Sequence, residues 1–471
     1  MIRRARSTAM VVAVAAAAFA ADKPQALPKD LPAYGVMKPF VAPHIAESKL
    51  DNGMTVWLAP EPGFPKVAFT LVVRGGLAAD PKDRPGFAGL LAAALTEGTR
   101  QRSARQVAED IAAAGGDLSA DATADAVLLQ TSILSEKIGP ALSVLADVAQ
   151  HASFQDAEVA IARNKLAASL RASEADPGFL ARRALYRALF GQHPYAAIAP
   201  TQDSLARTTP AELREEFARR FRPERTLLIA VGDFSEQSLA SAIRTNFGSW
   251  TASGSAAPVE VAKPAAAVSK TIDFVPRPNS VQTTLYLGTI GPTLRESDYA
   301  AARVGATLYG GMFGSRLIQN IREDKGYTYS PGARFTGNRE AGVLATRADV
   351  RNVVTGASFN EITYELNRMA TTAPQADEVE RAKRFLLGSL AISLQSGRAK
   401  ARQLANLWID SLPPGELAAE AQKIERVTPQ DVEAAGQKYF PAWRMTVVAV
   451  GEESVIKNEL APFGLEFRQV Q

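Results

Sequence analysis

The sequence predicts an α+β protein built from two homologous α/β lobes joined by a linker. Three observations carry that expectation. Strand-like and helix-like apolar patterns alternate along the whole chain. Landmarks of the first half recur, in the same order, about 220 residues later. Between the halves lies an Ala/Ser/Pro/Gly-rich stretch, Thr251 to Ser269, whose composition cannot supply a core.

Taken from the N-terminus, Arg3, Arg4 and Arg6 precede an apolar, Ala-rich run from Ala9 to Phe19, and Ala18-Phe19-Ala20 offers a small-x-small cleavage site. This pattern predicts a secretory signal peptide over 1–20; the run is shorter than the roughly 20 apolar residues a membrane helix needs. The Pro-rich segment over 21–45 reads as an extended arm. Leu50-Asp51-Asn52-Gly53 is a hairpin turn signal, with strand-forming residues after it and again over Val67–Val73. Helical spacing governs Gly86–Leu95, Ala104–Ala114 and Glu136–Gln150.

The repeat fixes the organisation. Thr209-Pro210 opens a predicted helix and Val231-Gly232-Asp233 follows; Thr428-Pro429 opens another and Val450-Gly451-Glu452 follows at the same spacing. The offset between the pairs is 219 residues, from 209 to 428. Upstream, Glu158-Val159 to Ser169-Leu170 resembles Glu378-Val379 to Ser389-Leu390 at an offset of 220. A duplication explains these ordered matches, with lobes over 46–250 and 270–471 and the linker over 251–269.

Composition excludes several classes of function. With 53 basic and 49 acidic residues the net charge is only +4, and no Lys/Arg block suggests a nucleic-acid surface. No cysteine is present, so disulfides, thiolate metal ligands and a cysteine nucleophile are excluded. Beyond residue 20 no apolar run is long enough to span a bilayer. The three histidines, His44, His151 and His193, have no ligand-like spacing and read as surface or structural residues.

Two duplicated α/β lobes, the first opening on Leu-x-Asn-Gly, resemble the pitrilysin/insulinase metallopeptidase family over nearly the whole chain that follows the signal. After Gly75-Gly76 and Asp80-Pro81 comes Gly86-Phe87-Ala88-Gly89-Leu90-Leu91-Ala92-Ala93-Ala94-Leu95-Thr96-Glu97-Gly98-Thr99. The flanking residues fit the frame in which active members carry an inverted zinc motif. The two histidine positions, however, fall on Gly89 and Ala93, and the glutamate position on Ala92. The remaining ligand position, on a later helix before Asp176-Pro177, falls on Ser169, or on Ala168 with a shift of one. Zinc hydrolases need imidazole or carboxylate ligands and a carboxylate base. The resemblance therefore implies a degenerate metal site and no metal or other cofactor bound by this chain.

The second lobe carries Leu308-Tyr309-Gly310-Gly311-Met312-Phe313-Gly314-Ser315-Arg316-Leu317, then Ile321-Arg322-Glu323-Asp324-Lys325-Gly326-Tyr327-Thr328-Tyr329-Ser330. This is similar to the family's signature for the lobe facing the zinc. There the arginine and the tyrosine seven residues later contact the substrate backbone; here they are Arg322 and Tyr329. Gly310, Gly311, Gly314 and Ser315 are expected to border the peptide, with Ser315 and Arg316 also suited to a cap or a contact between lobes. The helix of Arg322 is expected to end at Gly326, and Tyr329 to begin a strand. An Arg-Glu-Asp-Lys run is also an ordinary solvated helix end, and a tyrosine an ordinary packing residue.

In some members of the family the zinc motif and the arginine/tyrosine pair sit on two homologous chains. The leading expectation is thus a non-catalytic subunit of a periplasmic zinc endopeptidase, acting on peptides beside a zinc-bearing homologous partner. The alternative is a peptide-binding or structural protein of the same fold that takes no part in catalysis.

Overall fold

In the computed structural model, residues 43–470 are described except 253, 257–258 and 266–269. The expected signal peptide and nearly all of the arm lie outside the described residues. The duplication appears as two six-stranded sheets. The first half runs β1 (Ala46–Lys49), β2 (Thr55–Pro60), β3 (Lys66–Arg74), α1 (Phe87–Leu95), α2 (Ala104–Ala113), β4 (Leu118–Ala122), β5 (Ala126–Leu134) and α3 (Ile138–His151). It continues with α4 (Asp156–Glu174), α5 (Pro177–Phe190), α6 (Gln202–Arg207), α7 (Pro210–Arg220), β6 (Thr226–Gly232) and α8 (Glu236–Phe247).

The second half runs β7 (Thr271–Pro276), β8 (Gln282–Gly291), α9 (Tyr299–Ala306), α10 (Arg316–Ile318), β9 (Gly332–Gly337), β10 (Gly342–Arg351) and α11 (Thr355–Thr371). After it come α12 (Ala376–Ser393), α13 (Gly397–Ile409), α14 (Glu416–Arg426), α15 (Pro429–Tyr439), β11 (Thr446–Gly451), α16 (Glu453–Leu460) and β12 (Glu466–Gln469).

Sheet one has the order β1-β2-β6-β3-β5-β4 and sheet two β12-β7-β11-β8-β10-β9. From β2 to β4 and from β7 to β9 the order is the same, and within that shared core one pair, β2 with β6 and β7 with β11, is parallel and the rest antiparallel; in sheet two β12 adds a second parallel pairing, with β7. The expected α+β class and the two repeated lobes are thus realised. The local signals hold too: Thr209 and Thr428 both cap their helices through a capping box, with Glu212 and Asp431 as the reciprocal partners.

The lobes exchange a helix. The first-half helix α5 lies on β8 and β11 of sheet two, where Ala181, Ala184, Leu185 and Leu189 pack on Val275, Val343, Val448 and Val450. The second-half helix α13 lies on β3 and β6 of sheet one, where Ala401, Leu404 and Ala405 share a core with Trp57, Val72, Leu227 and Ile229. The missing side chain of Gly288 makes room for Leu185, whose Cδ2 stands 2.8 Å from where a Cβ would be. The linker carries neither helix nor strand among its described residues, but it is docked: the Ala262 carbonyl meets His193 Nε2 at 2.7 Å, and Glu260 faces Arg339 at 3.7 Å.

Candidate functional site

The degenerate metal positions lie on two helices that pack together, α1 and α4. Gly89 and Ala93, four residues apart, share one half-buried face of α1, while Ala92 is buried at 2% exposure. A side chain at Gly89 would enter open space, so the fold leaves room for a ligand there, yet the residue supplies no donor atom. Ser169 is exposed on α4. Near this face Glu97 is engaged by Lys165 at 3.3 Å. Among the described residues no group of three or more His, Cys, Asp or Glu could hold a metal ion. His151 pairs with Asp147 at 3.1 Å, His193 both accepts from the Tyr195 amide and meets Ala262, and His44 is exposed.

In the second half, α9 widens into a π-helical turn over Thr307–Gly311, and α10 widens likewise over Gln319–Asp324. Such wide turns cost backbone regularity and recur at functional sites. Arg322 sits in the second of them. Gly326, at φ +61°, ends the helical segment as expected. Tyr329 does not begin a strand. Pro331 has no amide to give a ladder, so β9 starts at Gly332, and Tyr329 stands in the preceding loop at 82% exposure.

The structure nevertheless brings Arg322 and Tyr329 together: the guanidinium carbon lies 4.8 Å from the tyrosine ring centroid. It also lies 4.8 Å from the ring of Phe313, a residue the sequence reading did not single out. Phe313 is 66% exposed, and an aromatic ring is left in water here beside a cation. Glu323 approaches the Arg322 Nε at 3.3 Å. Arg322 thus sets a fork of N–H donors next to an exposed phenol.

The expected peptide-bordering residues divide. Gly311 and Gly314 are exposed, and the space beside Gly314 is open. Gly310 is buried against β9, with Ala333 N 2.8 Å from where a Cβ would stand, so its smallness serves packing. Ser315 is 0% exposed, and its hydroxyl meets no partner; its side chain does not reach a substrate, which corrects that expectation. Arg316 makes a bidentate pair with Glu378 at 2.8 and 2.7 Å. That bond ties the turn to α12 of the same lobe, so it is not a contact between lobes.

Phe313 and Ser330 also line a cavity of ≈1810 Å³ that opens between the lobes. Ser169 and Asp176 border it from the first half, β9 and β10 from the second. The arginine–aromatic cluster stands at its rim.

Residues 55–200 match the family model described as insulinase, peptidase family M16, and residues 207–386 match the one described as the peptidase M16 inactive domain. An uncharacterized zinc protease of Bacillus subtilis (strain 168) is 26% identical over 356 residues, 74% of this chain and 84% of the relative. Another, from Rickettsia felis, is 23% identical over 400 residues, 83% of this chain and 94% of that one. A peptidase M16 inactive domain from Pseudomonas fluorescens superposes with a TM-score of 0.81 at 24% identity, over 91% of this chain and 100% of that one. A protease from Helicobacter pylori gives 0.82 at 17%, over 87% and 99%. These solved structures share the fold.

Proposed function

The chain belongs to the pitrilysin/insulinase family of metallopeptidases, and we propose that within it this chain is the non-catalytic subunit of a two-chain periplasmic zinc endopeptidase. The observation that carries the reading is the Arg322 guanidinium carbon 4.8 Å from the centroid of the exposed Tyr329 ring in a chain whose Gly89, Ala92, Ala93 and Ser169 offer neither imidazole nor carboxylate. Scaffolding alone requires neither an exposed phenol nor an arginine stacked on it.

In this reading zinc is held by a homologous partner, where it supplies the activated water. The residues of this chain do the rest. The Arg322 fork donates to main-chain carbonyls of the bound peptide. The Tyr329 hydroxyl donates to the oxyanion that develops on the attacked carbonyl. Phe313 restrains the guanidinium. The open faces of Gly311 and Gly314 let a peptide approach the turn closely. The basic, apolar and small-x-small pattern at the N-terminus supports export to the periplasm.

The test is peptide hydrolysis by the purified chain, alone and mixed with a zinc-motif homologue, with zinc content measured. Expected are no zinc and no turnover alone, and turnover on mixing that drops about 10²–10³-fold in Arg322→Ala or Tyr329→Phe. Stoichiometric zinc with activity in the isolated chain would overturn the reading. Mixing without effect would favour the binding or structural alternative.

A further inference from the structure

The cavity between the lobes is lined by charged residues that the proposed function does not use. Four arginines line it, Arg182, Arg303, Arg334 and Arg347, against a single carboxylate, Asp176. Two of the four are neutralised. Arg303 pairs with Glu420, and Arg347 pairs with Asp349 at 2.9 Å and faces Asp176 at 3.8 Å. Arg182 and Arg334 are exposed and, among the described residues, meet no carboxylate within ion-pair distance.

Strand register places these groups on one face. Arg347 on β10 stands directly opposite Tyr286 on β8, and Arg334 on edge strand β9 stands opposite Ala345, two residues along β10 from Arg347. Helix α5 covers the neighbouring part of the same face and adds Arg182 and, one turn on, Tyr186. The two phenols remain protonated donors at neutral pH. Burial pushes Tyr186 up to about 12 and raises Tyr286, on which Arg182, Arg347 and Arg334 act in the opposite direction. Two guanidinium groups without a carboxylate partner thus share one wall of the cavity, and an anion entering it gains charge-assisted hydrogen bonds from them.

We propose that Arg182 and Arg334, beside Arg347, Tyr186 and Tyr286, form a carboxylate-binding subsite that selects acidic peptides for the cavity. The inference rests on the peptide-handling role proposed above and adds the class of peptide. A guanidinium matches a carboxylate through two parallel N–H donors, and Arg334 presents one from the edge strand β9. Either an acidic side chain or a free C-terminal carboxylate supplies that chemistry.

The experiment is fluorescence anisotropy of the full chain alone with peptides carrying a charge-neutral fluorophore. One probe is glutamate-rich and blocked at both ends, the second is its glutamine counterpart, and the third is the glutamine peptide with a free C-terminus. Expected is at least tenfold tighter binding of a carboxylate-bearing probe than of the blocked glutamine peptide, weakened by added salt. Arg182→Gln and Arg334→Gln should each remove most of that preference, whereas Arg105→Gln, on the far exposed face of α2, should not change it. Which of the two charged probes binds identifies the source of the carboxylate.

Equal affinity for all three probes, an unchanged preference in both cavity variants, or an equal loss in Arg105→Gln would overturn the subsite. The two readings separate cleanly. Arginine-dependent acidic binding without any rise in a homologue's turnover would uphold the subsite and sink the complementing role; raised turnover with no acidic preference would do the reverse.

Discussion

At the scale of single residues, Phe313 is where local chemistry and the proposed role meet. Arg322 and Tyr329 were legible from their seven-residue spacing within a recognisable frame. Phe313 was not, because its contact with Arg322 arises where the chain reverses between two wide helical turns, and no periodic signal marks such a place. Its ring is mostly in water, so removing it should cost little stability. A cation–π contact at an exposed site contributes roughly 0.5–1 kcal/mol. Phe313→Ala should therefore slow partner-assisted hydrolysis about two- to fivefold with an unchanged melting temperature, an effect much smaller than that of Arg322→Ala. Steady-state rates on the mixed subunits check this, and wild-type turnover in the variant would remove Phe313 from the site.

At the scale of elements, the capping boxes at Thr209 and Thr428 were readable because side chain and backbone partner lie three residues apart. The burial of Arg316 was not, because its side chain reaches Met369 of α11 and Glu378 of α12, which follow far along the chain; the Arg316–Glu378 pair spans 62 residues. Pro331 did mark the late start of β9, but the expected strand at Tyr329 gave it no weight. The turn that carries Gly310 is the most constrained part of this region. A methyl group there would stand 2.7 Å from Ala333 Cβ and 2.8 Å from its amide nitrogen, a backbone atom of a paired strand that cannot step aside alone. Gly310→Ala should destabilise the chain by about 1–3 kcal/mol, the usual cost of overpacking. Urea midpoints measure this. Wild-type stability in the variant would mean that the turn is free to shift off β9.

At the scale of the whole molecule, the exchanged helices join the two lobes into one folding unit. Periodicity along α5 and α13 shows that each has an apolar face, but not which sheet covers it, so the exchange was not legible. The junction also gathers ionisable groups from both halves. The Tyr195 hydroxyl donates to Asp125 at 2.7 Å, the Arg339 amide donates to the same carboxylate at 2.9 Å, and Arg74 donates to the Trp408 carbonyl at 2.7 Å. Asp410, at the end of α13, faces this cluster: burial first and the Asp125 charge second push its carboxyl up to about 7, against the opposing pull of Arg295 and Arg339. A carboxyl raised in the folded state binds a proton that the unfolded chain has released. Its contribution to stability is complete below about pH 4 and is lost as pH rises through about 7. From about pH 4 to about pH 7 the wild-type chain should lose stability with rising pH from this group, the profile levelling off by about pH 8. Asp410→Asn, neutral throughout and nearly the same shape, should flatten that part of the profile and be more stable than wild type at the alkaline end. Thermal melts of both chains across this range decide it. A variant that follows the wild-type slope would place the pH sensitivity elsewhere, and one that is less stable than wild type at the alkaline end would show that the Asp410 carboxylate is held ionised by Arg295 and Arg339 after all.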